Sequence, residues 1–469
     1  MNGYRTERDT LGDVKVPAEA YWGAQTQRAV ENFTVSGLRL PPPFVRAQAI
    51  IKGAAARANG ELGVLEAAVA EALVAAAEEV IAGKWADQFV VDVFQAGAGT
   101  SQNMNVNEVL ANRAEELLGG KRGEYRRVHP NDHANLGQST NDTFHAALHI
   151  SAYGEIRERL LPAAEELAAA LEGKAREFDE VVKCGRTHLQ DAVPIRLGQE
   201  FGGYAASVRA GRDRVADAAE DLLELGMGGT AVGTGLNARP GYRRLAIAYV
   251  NEATGYEFRA AENPFAAMQS LAGVTALSGA LRALATTLIQ IADDFRLLAS
   301  GPRTGLGEIL LPAVQPGSSA MPGKVNPVLA EMLDMIGYQV LGCDAAIVHA
   351  SRAGQLELNV MMPVVAYNLL FAVEILAGGV RAFAERCVRG VEADEKLCRR
   401  YAESSPALAT ALSPYIGYEK AAALAQEALR TGKTVRELAA EQGLLPEEEL
   451  ERVLDLRRMT SPPEEREEE

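Results

Sequence analysis

Cysteine is scarce in this 469-residue chain, and the four present (Cys184, Cys343, Cys387 and Cys398) show no paired spacing of a zinc or redox type. That leaves buried, reduced thiols of a cytoplasmic protein as the expectation. Aromatic residues are few, 6% of the chain against 48% apolar overall. A core drawn from long Ala/Leu/Glu/Arg-rich stretches favours helix over sheet. Positive charge is in the minority: 47 Lys and Arg face 63 Asp and Glu, for a formal net charge of −16. This balance argues against nucleic acid and against an anionic membrane as partners. Any small dianion would need a locally positive pocket. The first residues hold no apolar signal region, and no eighteen-residue apolar run is evident, so neither export nor a membrane span is expected.

What the chain has in abundance is helical periodicity. Residues 1–42 read as an irregular arm carrying Trp22 and Arg28, the latter a cation that could stand near a pocket. Helices are predicted near 44–60 and 65–83, followed by a short extended piece at 89–94 and a helix from Asn103 to about 118. Five long helical patterns then occupy 141–178, 195–225, 264–299, 327–351 and 363–389. The longest, at 1.5 Å per residue, would span on the order of 45 Å. Ala and Leu around much of their circumference imply cover by neighbouring subunits. Heptads are not read as sustained, so a coiled coil is set aside. Short helices near 416–430, 434–442 and 446–454 close the pattern, and the charged tail at 462–469 is expected to be disordered. The implied domains are 1–138, mostly helical; 139–390, a long five-helix bundle; and 391–469, small and helical with an acidic tail.

Polar chemistry gathers where these helices begin. Residues 317–327 read Gly-Ser-Ser-Ala-Met-Pro-Gly-Lys-Val-Asn-Pro, a loop ending with Asn326 as N-cap and Pro327 at the first helical position. Its hydroxyls, ammonium and free N–H groups suit a small carboxylate and would stabilise an alkoxide on Ser318. Thr100, Ser101 and Asn103 lie at another glycine-loop-to-helix junction, where plain capping is the simpler account. Ser139 and Asp142 form a capping-box pattern, with Thr140 and Asn141 between them offering donors from the same helix start. His129 and His133 are four apart, but Pro130 spoils a one-face metal site and no third ligand matches, so no metal is expected. His188, beside Thr187 and Gln190, sits in a polar loop joining two buried helices, where a structural histidine is the commoner case. The Gly/Thr stretch at 228–237 lacks phosphate-loop spacing, which makes nucleotide binding a poor fit.

Five stretches, 100–107, 129–142, 185–194, 230–237 and 317–327, together resemble the fumarase/aspartase superfamily, whose members break a C–O or C–N bond beside a carboxylate to release fumarate. The resemblance covers essentially the whole chain. It implies a mostly helical three-domain fold with a central five-helix bundle that tetramerises, and active sites where three subunits meet. It implies a small dicarboxylate substrate and no cofactor. Ser318 would be the general base; Lys324 and Asn326 would bind a carboxylate; His188 would contact substrate, supported by Glu331. Thr100, Ser101, Asn103, Ser139, Thr140, Asn141, Thr187 and Ser319 would be further contacts, and His129, Asn131 and Asp132 resemble a secondary anion site. Gln355-Leu356 before Glu357 looks more like an aspartase, and His129–His133 and Gly228-Gly229-Thr230 more like a class II fumarase. On the first of these the expected reaction is loss of ammonia from L-aspartate, with hydration of fumarate to L-malate as the alternative. A silent helical scaffold stands third. Ala320 and His145 depart from the family's usual isoleucine and proline.

Overall fold

The computed structural model describes residues 3–461, so the expected tail at 462–469 lies outside the described residues. Helix dominates, and the strands occur as two-stranded pairs. The chain divides into two compact units. The first comprises Met1–Pro162, Asp213–Ala285 and Tyr338–Ala377, and the second Ala163–Arg212, Thr286–Gly337 and Gly378–Glu469.

In the first unit, the arm read as irregular opens with an antiparallel hairpin, Tyr4–Asp9 against Gly12–Pro17. Asp9 explains it: one carboxylate takes the Leu11 N–H at 2.8 Å and pairs with Arg28 at 2.7 Å. Arg28 is therefore bound to the hairpin. Helices Pro42–Glu61, Ala67–Ile81 and Thr100–Leu117 pack through small apolar residues, among them Ala49, Ala56, Ala76, Val106 and Val109. The apolar stretch at 89–94 forms no strand; Asp92 instead gathers the N–H groups of Ser36, Gly37 and Phe94. A helix not foreseen from the sequence, Tyr242–Thr254, is bounded by Gly241 and Gly255, both at positive φ.

The five long helices are present. The first runs Thr140–Glu155, widens to a π turn at Ile156–Leu160 and continues as Leu161–Glu177. The wide turn falls just ahead of Pro162, which has no N–H to give the regular ladder. The others are Leu197–Ala219, Ala272–Leu298, Val328–Ser351 and Met362–Arg386. The predicted 264–299 helix is broken at Ser270: Asn263 caps a short helix Pro264–Gln269, and Ser270 Oγ accepts the Ala272 N–H at 3.2 Å to start the next. A heptad-like seam, contrary to expectation, is sustained there. Val274, Leu277, Leu281, Leu284, Leu288, Ile291, Phe295 and Leu298 alternate steps of three and four and are all buried.

By length and composition two helices, Ala272–Leu298 and Met362–Gly390, are long and apolar enough to cross a bilayer, which the sequence reading did not register. Each carries a buried stripe, and core helices of a bundle pass the same test. In the second unit the rings of Phe178, Phe201, Phe295 and Phe383 form a chain with centroids 5.3, 5.3 and 5.2 Å apart. Among the described residues the C-terminal segment holds five α-helices where three were expected, adding Glu395–Ser404 and Ala409–Ile416. Its core includes Leu412, Leu424, Leu438 and Leu454.

Candidate active site

Ser318, Ser319, Lys324, Asn326, Glu331, Thr187 and His188 belong to the second unit. The 317–327 loop is closed at its base by two bonds: Gly317 N–H to Lys324 O at 2.8 Å, and Asn326 Nδ2 to Gly317 O at 2.6 Å. A side chain at 317 would place its Cβ 2.4 Å from Lys324 O, so only glycine fits. The expected N-cap is thus corrected: Asn326 uses its amide to latch the loop, and the helix starts at Val328. Ser318 Oγ accepts two backbone N–H groups, from Ala320 at 3.2 Å and Met321 at 3.1 Å. Converging N–H dipoles favour the anionic form of whatever they point at. Lys324 and Ser319 are exposed on the same loop, and Glu331 lies half-buried on the first turn of the helix.

The segment around His188 is a β-hairpin and not the expected loop. Val182–Thr187 pairs with Gln190–Arg196, leaving His188 and Leu189 as a two-residue turn. Both have left-handed backbones, φ 54° and 59°. Such turns are usually written Asn-Gly, so His-Leu gave no sequence signal. Thr187 and His188 are both exposed at this tip.

The first unit holds the remaining motif residues. Gly99, at φ 85°, turns the chain into the helix that starts at Thr100. Thr100 is exposed, Ser101 buried, and Asn103 fully buried. Asn103 is committed inside the protein: its Nδ2 donates to Asn135 Oδ1 at 3.2 Å, and its Oδ1 accepts from Thr143 Oγ1 at 3.3 Å. The same Asn135 oxygen receives Lys52 Nζ at 3.0 Å and Asn107 Nδ2 at 3.1 Å. Burial lowers the Lys52 ammonium to about 7, against the pull of the Asp142 charge.

Ser139 caps the next helix, its Oγ accepting the Asn141 N–H at 3.2 Å. Thr140 is buried, and Asn141 Nδ2 donates to Ala231 O at 2.7 Å. Asp142 accepts Gly228 and Thr230 N–H groups on one oxygen, at 2.9 and 3.0 Å. Burial raises its carboxyl to about 6 in spite of these bonds and of Lys52. Lys52 and Asp142 as a buried pair were missed from the sequence. The available signal was the phase of Lys52, which with Gln48 and Asn59 puts polar groups on the apolar face of Pro42–Glu61.

Asn131 and Asp132 lie in a π turn, Pro130–Ala134, that His129 precedes. His129 Nδ1 caps it, accepting the Asn131 and Asp132 N–H groups at 3.3 Å each. Asp132 Oδ2 is also 3.3 Å from Nδ1, so that nitrogen either accepts from the turn or, when protonated, pairs with the carboxylate. His133 Nδ1 accepts the His129 N–H at 2.7 Å, and burial lowers its pKa. Among the described residues no group of three or more His, Cys, Asp or Glu is arranged to hold a metal.

A family model described as Lyase matches residues 12–342, and one described as Fumarase C C-terminus matches 408–461. The chain belongs to the fumarate lyase superfamily. Within it the chain falls in the class II fumarase/aspartase subgroup. It is 54% identical over 457 residues to a class II fumarate hydratase of Halobacterium salinarum, covering 97% of each chain. It is 48% identical over 465 residues to an aspartate ammonia-lyase of Bacillus subtilis, covering 98% of each. Its fold matches a fumarate lyase:delta crystallin structure from Brucella melitensis with a TM-score of 0.95 at 48% identity, covering 98% of this chain and all of that one. The class II fumarase of Schistosoma mansoni matches equally well, TM-score 0.95 at 40% identity and the same coverage. The mostly helical fold expected from the sequence is thereby that of the fumarate lyase superfamily.

Proposed function

We propose that this fumarate lyase superfamily member is a class II fumarate hydratase, interconverting L-malate and fumarate, with Ser318 as the general base. The observation that carries the reading is the pair of backbone N–H groups on Ser318 Oγ. The proton beside a carboxylate is a very weak acid, and its removal puts a second negative charge on that carboxylate. The enzyme must supply fixed donors and a cation aimed at the developing dianion. In this reading Lys324 is the cation, and Asn326, Thr100, Ser101, Ser139, Thr140, Asn141, Thr187 and Ser319 are the substrate's other neighbours. His188 touches substrate, and Glu331 supports it. Asn103 acts from the interior through Asn135.

The choice of malate over aspartate reverses the preference taken from Gln355-Leu356. That pair lies in a tight turn in which Gln355 N–H bonds Leu358 O at 3.1 Å, and Leu356, at φ 50°, is 86% exposed. A surface turn weighs less in substrate choice than it did as letters in a motif. The greater identity to the Halobacterium fumarate hydratase, and the His129–Asp132 turn, favour malate. Aspartate ammonia-lyase is the second reading, on the Bacillus similarity.

We also propose a homotetramer whose sites draw on three subunits. Along Val328–Ser351 the exposed Met335, Tyr338, Leu341 and Val348 form an apolar stripe that a second copy would cover. Four free, buried thiols suit a reducing cytoplasm. The deciding experiment supplies purified protein with L-malate and L-aspartate separately and follows fumarate by ultraviolet absorbance. Malate turnover is expected. Turnover of aspartate alone would replace the first reading by the second, and turnover of neither would leave the silent scaffold. Light scattering should give four times the chain mass of 50.0 kDa.

A further inference from the structure

The root of the 182–196 hairpin is buried and the tip is not, and four charged side chains meet at the root: Lys183 and Arg186 from the hairpin, Glu200 and Glu308 from outside it. Lys183 and Glu308 have side chains only 2% and 0% exposed. Lys183 Nζ lies 2.8 Å from Glu200 Oε2 and 2.9 Å from Glu308 Oε2, while Arg186 Nη1 lies 2.9 Å from Glu308 Oε1. One carboxylate thus spends each oxygen on a different cation of the same strand. Glu308 is itself held through its backbone: its N–H donates to Leu298 O at 2.9 Å, and its carbonyl accepts the Asp394 N–H at 3.0 Å. Burial alone would lower the Lys183 pKa, yet the Glu200 and Glu308 charges raise it, so the ammonium keeps its proton.

A core of this size does not need buried ions for stability; apolar residues would serve as well or better. Direction is what the cluster adds. Arg186 stands two residues from His188, in a strand whose pairing shifts register between Cys184 and Arg186. At that point Gly185 lets the chains approach so closely that a Cβ would sit 2.7 Å from Val193 O. Beyond it, two successive non-glycine residues hold left-handed backbones, a conformation that persists only where surrounding structure over-determines it.

We infer that Glu308, gripping Lys183 and Arg186, is a positioning residue that fixes the hairpin so that His188 is presented in one orientation. This rests on the lyase reading above, in which His188 meets the substrate. The carboxylate acts at a distance, through the strand, and touches no reacting atom.

The test pairs a double-mutant cycle with a probe that needs no turnover. Glu308→Asp keeps the charge but shortens the reach, so one carboxylate no longer spans both cations. We expect it to lower kcat/KM at least tenfold in the wild-type background and less than twofold in a His188→Gln background, because the loss passes through His188. Separately, Leu189→Cys offers the one exposed thiol beside four buried ones, and a nitroxide attached there reports tip motion. Its electron paramagnetic resonance lines should sharpen when Glu308→Asp is added. Additive losses in the cycle, or an unchanged line shape, would overturn the inference. Absence of turnover by the wild-type protein on either substrate ends the lyase reading instead, and the line shape still decides the clamp. Should Glu308→Asp not fold, Arg186→Lys carries the same measurements.

Discussion

Ser139 and Asp142 hold each other's ends: the Ser139 N–H donates to Asp142 Oδ1 at 2.9 Å, and the Ser139 hydroxyl caps the same helix turn. The other Asp142 oxygen takes two N–H groups from the 228–230 loop, so one buried carboxylate joins a helix start to a loop distant in sequence. Asp142→Asn keeps one acceptor oxygen for the two loop N–H groups and turns its NH2 on the Ser139 N–H, whereas Asp142→Ala leaves all three donors without this partner. Each orphaned donor costs roughly 1–3 kcal/mol. The melting midpoint should fall further for Ala than for Asn, whose neutral side chain suits the burial that raises the Asp142 carboxyl. Equal midpoints for the two variants would show that the three bonds contribute little.

Ser318→Ala removes the oxygen on which two backbone N–H groups converge. Loss of a positioned base lowers turnover by about 10²–10⁴-fold. The loop base, held by Gly317 and Asn326, is untouched, so circular dichroism and oligomer mass should match wild type. A Ser318→Ala protein retaining more than about a tenth of wild-type kcat would remove the serine from the base role.

The helical frame was legible because its periodicity is strong. Ser139-x-x-Asp142 reads as a capping box and is one. The 182–196 hairpin was hidden because its turn is His-Leu, its strands carry Gly185 and Pro194 and no regular apolar alternation, and long helices flank it. Asn326 was misplaced because an N-cap residue before proline has a local use, and only the folded loop shows the longer-range bond to Gly317. Lys52 escaped notice because a lone lysine in a helix is normally solvated, and burial is a tertiary fact. The motif residues could be named from their wording, but which of them face inward, like Asn103, could not.

Gly99 turns the chain at φ 85° into the helix start carrying Thr100 and Ser101, and an added Cβ would meet Phe144 ring carbons at 2.1 Å. The ring cannot retreat freely, being packed on Phe44 with centroids 4.6 Å apart. Gly99→Ala combines left-handed strain with overpacking, together roughly 2–4 kcal/mol. The thermal midpoint and the rate of fumarate formation should fall together. Gly119→Ala, at φ 86° with open space around it, isolates the backbone term and should cost less. If the two variants melt alike, the clash with Phe144 is relieved at no expense.

His145 and His149 lie on the buried face of one helix with ring centroids 4.1 Å apart and planes tilted by 45°. Burial lowers the pKa of each, His149 from 6.5 to about 4, although its Nδ1 lies 3.0 Å from Glu224 O, a contact that acts the other way. The sign follows from proton counting. Below 6.5 the unfolded chain binds a proton that the folded one refuses, so the neutral ring's contribution is complete above 6.5 and is lost as pH falls towards 4. For His149 this amounts to about 3 kcal/mol. Asp142 works in the opposite sense in the same range: its raised folded pKa, about 6 against 3.8, gives stability that is present below 3.8 and lost as pH rises through 6. The raw pH profile mixes these contributions with that of His145, so the informative quantity is the difference between wild type and His149→Gln, in which Asp142 cancels. Urea midpoints measured from pH 7 to pH 4 should show wild type losing stability relative to His149→Gln as the pH drops. A difference that stays flat across that range would mean that His149 takes up its proton within the fold as readily as in the unfolded chain.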